Sequence, residues 1–247
     1  MCRHLAYLGP PIPLSRLLFE PPHSLSHQSW APRDMRGGGT INADGFGVGW
    51  LTAEGLVRYR RATPLWSDPD LPALAASVTA GSVLAAVRSA TVGMPVTPQA
   101  AAPFAEGRWL FSHNGVVAGW PATVEKLAAA LPVTDLLTLE APTDAALLWA
   151  LVRHRLRLGA PPAEAIAETV ADVSAVAPGS RLNLLLTDGE TIVASTAGHA
   201  LSILAGPESV LVSSEPLDDD PAWQPVPDRT LLVAAPGARQ HLPLGEA

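Results

Sequence analysis

The helical signal in this chain is concentrated in one central stretch, with strand signals on both sides of it. In "TDAALLWALVRHRL", Leu147, Leu148, Leu151 and Val152 fall on one face at helical spacing, and Thr143 stands where an N-cap hydroxyl belongs. In "PAEAIAETVADVSAV", Ala163, Ile166, Ala167, Val170, Val173 and Val176 repeat the pattern before Pro178 and Gly179 stop it. A shorter helix is expected over residues 124–131. Ahead of these lie the apolar residues 5–8, the pair "FGVGWLT" and "LVRYR" around a tight "AEG" turn, and the strand patterns "SVLAAVRS" and "RWLFSHNG". Behind them come "RLNLLLTDGETIVAST", a hairpin by its Asp188-Gly189 pair, then "LSILA", "SVLVSSE" and "TLLVAA". Strands, a helix pair, then strands again imply an α+β fold of packed layers. The polar residues 20–40 show neither period and read as an ordered loop.

With 247 residues, 48% of them hydrophobic, the chain is long enough for one large core. No linker or internal repeat divides it, so a single domain spanning residues 2–247 is expected. The net charge of −7 speaks against a sequence-independent hold on nucleic acid, whose phosphates need a basic face. No run of 18 apolar residues is present to span a membrane, and the start lacks a signal-peptide pattern. A single cysteine excludes an intramolecular disulfide and a multi-cysteine metal site. The expectation is a cytoplasmic protein without metal, cofactor, nucleic-acid or membrane partner, its oligomeric state open.

That cysteine is Cys2, directly behind the initiator methionine. A lone cysteine often serves as a small core hydrophobe. Here, removal of Met1 would leave the thiol beside a free α-amine, a nucleophile next to its own base. Further polar groups follow in order: Asp44-Gly45 opening a glycine-rich strand, Arg88 with Thr91 and Gly93, His113-Asn114-Gly115, and Thr143-Asp144. Each alone has a structural explanation. Asn114-Gly115 is a common hairpin turn, Arg88 is a strand-end arginine, and Asp144 suits the first turn of a helix.

Taken together and in this order, Cys2, the R-x-x-T-x-G element at Arg88 and the H-N-G element at His113 resemble the class II glutamine amidotransferases of the N-terminal-nucleophile hydrolases. The resemblance runs over most of the chain and is strongest up to about residue 150. It implies a four-layer αββα sandwich with the nucleophile at the end of the first strand, between two stacked sheets. It assigns Cys2 as nucleophile with its α-amine as base, and the Asn114 amide and the Gly115 N–H as the oxyanion hole. Arg88 and Thr91 are placed at the α-carboxylate and Asp144 at the α-ammonium of a small-molecule γ-glutamyl substrate. Asn42, Asp44 and His113 are candidates for supporting roles behind these groups. Two positions depart from the family pattern: Ile41-Asn42 replaces an Arg-Gly pair, and Ala146 replaces a glutamate.

No synthase domain accompanies the amidase elements. The stretches "MCRHLAYLG", "NADGFGVGW", "AAVRSATVGMP", "HNGVV" and "SSEPLDDDPAWQPVPDR" resemble the branch of the family that hydrolyses γ-glutamyl-hercynylcysteine sulfoxide in ergothioneine biosynthesis. The trimethylammonium of that substrate suggests aromatic or acidic neighbours, for which Trp30, Phe46, Trp66, Asp218, Asp219 and Asp220 are candidates. Two other readings stay open: a glutaminase subunit feeding ammonia to a separate synthase, and a non-catalytic binding protein that retains Met1.

Overall fold

A computed structural model describes residues 2–34, 36 and 41–245; Met1, whose removal is expected above, lies outside them. In chain order the strands and helices are β1 (Arg3–Pro13), α1 (Ser15–Leu18), α2 (Leu25–Gln28), β2 (Phe46–Thr52), β3 (Gly55–Arg61), α3 (Leu71–Ser77), β4 (Thr79–Val87), β5 (Phe104–Glu106) and β6 (Trp109–Val116). They continue with α4 (Glu125–Ala129), α5 (Val133–Leu137), α6 (Asp144–Arg157), α7 (Pro162–Val176), β7 (Arg181–Thr187), β8 (Ile192–Thr196) and β9 (Ser202–Ala205). The last are β10 (Val210–Ser213), β11 (Gln224–Pro225), β12 (Thr230–Ala235) and β13 (Ala238–Pro243). Two antiparallel sheets result, one in the order β11-β9-β10-β1-β4-β2-β3, the other β13-β12-β8-β7-β6-β5. Among the described residues no helix is long and apolar enough to cross a membrane.

The layering follows from alternation along the strands. In β1, Leu5 and Tyr7 pack with Leu17, Leu18 and Leu25 beneath α1 and α2, whereas Ala6 and Leu8 meet Leu185 and Ile192 of the other sheet. In β7, Leu182, Leu184 and Leu186 face α6 and α7, and Leu185 faces the first sheet. Helices, sheet, sheet, helices: this is the αββα sandwich that the family resemblance implies. Burying Phe111, fully enclosed and stacked on Trp149 at 5.4 Å between ring centroids, contributes roughly 2–3 kcal/mol. The glycines of "FGVGW" have a packing reason. Phe46, Val48 and Trp50 fill the helical-layer core, while a Cβ on Gly47, on the opposite face, would stand 2.3 Å from the Ala102 carbonyl oxygen.

The helix pair lies where periodicity puts it, and the Thr143 hydroxyl caps α6 by accepting from Ala146 N. In α7, Ala165 and Thr169 are buried alongside Ile166, Val170 and Val173, so the buried stripe is rotated from the one drawn on apolar residues alone. Within the described part of the segment read as a loop, residues 25–28 form a helical turn, with the Ser24 hydroxyl accepting from His27 N at 3.4 Å. One turn is too short to register as a period. The expected helix over residues 124–131 is shorter, α4 following a 3₁₀ turn at Ala122–Val124. Asn114-Gly115 is not a turn: both residues sit inside β6, paired with Asn183 and Leu182.

The space between the sheets becomes polar toward the start of β1. His4 Nδ1 lies 3.1 Å from Ser112 Oγ on the facing sheet, and Arg181 Nε donates to His199 Nε2 at 3.0 Å. Burial above all, then the positive fields of His113, His199 and Arg3, lowers the His4 pKa to about 3. Burial, then Arg181 and Arg3, lowers that of His199 to about 4. Both rings are therefore neutral in the fold at pH 5 but protonated in an unfolded chain, where histidine titrates near 6.5. The unfolded state then binds more protons, so stability falls with decreasing pH below 6.5 and keeps falling to the folded values, by about 1.4 kcal/mol per pH unit for each ring. Urea unfolding stepped from pH 7 to pH 5 should show that decline, and His199→Gln should remove about one proton from its slope; an equal slope in the variant would contradict the assignment.

Candidate active site

At the polar end of the sandwich a cleft with about 480 Å³ of empty space is lined by Cys2, Arg88, Thr91, His113, Gly115 and Asp144, with Met94, Phe104 and other apolar side chains between them. These six come from four separate segments. Cys2 directly precedes β1, Arg88 and Thr91 belong to the loop leaving β4, His113 and Gly115 lie on β6, and Asp144 opens α6. Because β1 and β4 are neighbours in one sheet and β6 is in the other, the cleft lies where both sheets end.

Each polar group is held in place by the backbone around it. Cys2 is half-buried, and its Sγ lies 4.0 Å from the Ser89 carbonyl oxygen. Arg88 is buried, and its Nη1 donates to the Pro95 carbonyl at 2.8 Å, closing the loop on itself. Asp44 ties down the same loop: its carboxylate accepts from Ala90 N at 2.8 Å and its own N–H donates to the Arg88 carbonyl at 2.9 Å. Asp44 thus supports Arg88 from outside the cleft lining. Asp144, buried at the N-terminus of α6, accepts from Val117 N at 3.1 Å, which fixes α6 against the end of β6. That helix end favours the carboxylate.

His113 Nε2 lies 3.0 Å from the Arg181 carbonyl. A carbonyl can only accept, so Nε2 carries the hydrogen. Gly115 has no room for a side chain, since a Cβ there would fall 1.8 Å from the Arg181 oxygen and 2.6 Å from His113 Nε2. Asn114 points the opposite way from its neighbours, as strand alternation demands, into the space between the sheets. It is buried, with Nδ2 3.5 Å from Ser214 Oγ. One amide hydrogen can serve Ser214, leaving the second available. Asn42 is also buried and outside the cleft lining, donating through N and Nδ2 to the Ser29 carbonyl at 2.7 and 3.4 Å.

None of the six aromatic and acidic candidates for a cationic pocket lines the cleft. Phe46 is wholly buried in the helical-layer core, Asp218 accepts from Trp223 Nε1, and Asp219 pairs with Arg33 at the surface. Trp30 is half exposed with its ring edge-on to His27. What the motif reading passes over is the layer behind Cys2: Arg3, His4, His23, Ser214 and Glu215 are all buried and hydrogen-bonded. A signal for Arg3 exists in the sequence, a charged residue inside a strand pattern, but its partner stands 212 residues away.

A thiol, a glycine backbone N–H, a buried arginine and a buried carboxylate around one cleft suit attack on a carbonyl attached to an amino-acid head, while Asn114 is buried beside the cleft and is not part of its lining. Comparison with known proteins agrees. Residues 17–207 match the family described as glutamine amidotransferases class-II. The γ-glutamyl-hercynylcysteine sulfoxide hydrolase of Mycolicibacterium smegmatis is 42% identical over 233 residues, 94% of this chain and 95% of its own length. That of Mycobacterium tuberculosis is 41% identical over 94% of this chain and 92% of its own length. Among solved structures, a glutamine aminotransferase class-II domain protein from Silicibacter pomeroyi has a TM-score of 0.71 at 25% identity, covering 99% of this chain and all of that one. Glutamine phosphoribosylpyrophosphate amidotransferase from B. subtilis, at 14% identity, shares the fold, with a TM-score of 0.72 over all of this chain and half of its own. By the match of residues 17–207 and by relatives above 40% identity over nearly the full length, this chain belongs to the class II glutamine amidotransferases.

Proposed function

We propose that the chain hydrolyses the γ-glutamyl amide bond of γ-glutamyl-hercynylcysteine sulfoxide in the cytoplasm, as a single domain of residues 2–247 acting without a synthase. The observation that carries the reading is the convergence of Cys2, Arg88, Thr91, Gly115 and Asp144 on one cleft, in a chain 42% identical over 94% of its length to a hydrolase of that name. Near-complete coverage of those free-standing relatives favours hydrolysis over supply of ammonia to a partner.

In this mechanism removal of Met1 frees the α-amine of Cys2. Amine and thiol have intrinsic pKa values of roughly 7.7–8.0 and 8.5, so the proton passes between them at little cost near neutrality. Arg88 and Thr91 engage the α-carboxylate of the glutamyl head and Asp144 its α-ammonium, which directs the γ-carbonyl to the thiolate. Attack forms the carbon–sulfur bond and moves an electron pair to the carbonyl oxygen, where the Gly115 N–H and the Asn114 amide stabilise it. On collapse, the carbon–nitrogen bond breaks, and the Cys2 ammonium gives its proton to the departing amine. The amine then takes a proton from water, which attacks the thioester and releases glutamate and the thiol.

Three measurements follow. Cys2→Ala should abolish turnover while leaving affinity for the glutamyl head within about twofold, since binding rests on other residues; turnover comparable to the parent would exclude Cys2 as nucleophile. Asn114→Ala should lower kcat by about 10²–10³ with a far smaller change in KM, because an oxyanion donor acts mainly in the transition state. A change confined to KM would place Asn114 elsewhere. Arg88 and Asp144 meet a head common to glutamine, glutathione and the sulfoxide conjugate, so discrimination has to come from the leaving half and should appear in kcat/KM. The protein lacking Met1 should release glutamate from the conjugate without metal or nucleotide and hydrolyse glutamine poorly. Preference for glutamine, stimulated by a partner, would favour the ammonia-supplying subunit.

A further inference from the structure

An N-terminal nucleophile poses a problem of placement. Once Met1 is gone, Cys2 is tethered by a single peptide bond, to Arg3, and its amine has to stay unblocked to act as a base. The neighbouring residue supplies a second tether. Arg3 Nη1 donates to the Cys2 carbonyl at 3.1 Å, which holds the plane of the peptide from which the Cys2 Cα and its amine project. Arg3 faces the helical layer, opposite to His4, and there its Nε donates to Glu215 Oε1 at 3.0 Å while its Nη2 donates to the Asp34 carbonyl.

Glu215 is saturated. Oε1 also accepts from Asp34 N at 3.2 Å, and Oε2 accepts from His23 Nε2 at 2.5 Å and from Arg33 N at 2.8 Å. Arg3 and Glu215 are 3% and 4% exposed, and His23 is fully buried, so water offers none of these groups an alternative partner. Burial pushes the Glu215 carboxyl up, but the hydrogen bonds from His23 and Arg33 N and the Arg3 charge outweigh it and hold it below the usual range. The segment leaving the interior strand β10, the loop bearing Arg33 and Asp34, and the residue next to the nucleophile thus meet on one carboxylate. A buried pair of this kind is poor evidence of stability, because its desolvation offsets much of its attraction. Geometric definition is what a planar five-donor guanidinium adds.

We propose that Glu215 is a positioning residue for catalysis: through Arg3 it orients the backbone of Cys2, and with it the α-amine that takes the thiol proton. The inference rests on Cys2 being the nucleophile. It assigns no contact with substrate to either residue, so the loss on breaking the pair falls on chemistry and not on binding of the glutamyl head.

The test uses the full chain lacking Met1, with Glu215→Gln, Arg3→Lys and Cys2→Ala made side by side. Glu215→Gln keeps shape but places an amide N–H against a donor; Arg3→Lys keeps charge but loses the fork. Each should lower kcat at least tenfold, change KM by less than twofold, slow alkylation of Cys2 by iodoacetamide at pH 7, and displace the acid-side pKa of kcat/KM, below which the amine is protonated and cannot act as base. Glu215→Asp, which keeps the charge, should recover part of kcat. Folded variants with kcat within threefold of the parent, or with KM rising in step with the loss, would overturn the inference. So would failure of all three Glu215 and Arg3 variants to fold, which would make the pair a stability element only. Activity in Cys2→Ala is a separate outcome: it would remove the nucleophile assignment itself, whatever the Glu215 variants do.

Discussion

The arrangement of this molecule depends on β1 having to satisfy two different environments on its two faces. Leu5 and Tyr7 enter the apolar layer under the helices, and Ala6 and Leu8 enter the space between the sheets. A shift of one residue would exchange the two sets, so burial on both faces specifies the register strongly. That register decides the chemistry at the strand's end. With Ala6 inward, His4 is inward and hydrogen-bonded to Ser112 of the facing sheet, and Arg3 is outward on Glu215. The hydrophobic choice at residues 5–8 thereby places Cys2 in the cleft.

The second sheet applies the same logic to β6. Leu110 faces the first sheet and Phe111 the helices, so Asn114 and Gly115 necessarily diverge. Asn114 reaches toward Ser214, and Gly115 lies against the Arg181 carbonyl, where no side chain fits. Adjacent residues of one strand thus serve different surroundings, Gly115 in the cleft lining and Asn114 in the space between the sheets. The positions of Arg88 and Asp144 are set otherwise. Their segments are irregular or terminal, and specific hydrogen bonds hold them, Asp44 to Ala90 N for the loop and Val117 N to Asp144 for the helix end.

These two modes explain what the sequence shows and what it hides. Strand alternation and helical period are local, so β2 with β3, the β7–β8 hairpin, α6 and α7 are legible, and so is the α+β class. One-turn helices such as α1 and α2 leave no period. The members of the Arg3–Glu215–His23 cluster are local to nothing, since residues 212 and 192 positions apart are brought together by tertiary structure, Arg3 and Glu215 by the pairing of β1 with β10. The cleft residues were legible for a different reason: their residue types and order resemble a family, and the structure brings Cys2, Arg88, Thr91, His113, Gly115 and Asp144 to one place. Asn42 and Asp44 stand behind it, through contacts with Ser29 and Ala90 that no spacing reveals.

The same distinction bears on how such a site divides its work. Recognition of an amino-acid head needs charges of both signs, and in the function proposed Arg88 and Asp144 would supply them from the loop after β4 and from a helix end. Covalent chemistry needs a nucleophile and oxyanion donors that do not move, and the proposed ones are Cys2, adjoining the central strand of one sheet, and residues of β6 in the other. A carbonyl held by the first set is presented to the second only if the two sheets keep their spacing. That spacing is set by the small and aliphatic side chains between them, among them Ala6, Leu84, Leu110 and Leu185, all fully buried. On that reading the apolar layer is part of the catalytic geometry, because it sets the distance between Cys2, which adjoins β1 of one sheet, and Gly115, in β6 of the other.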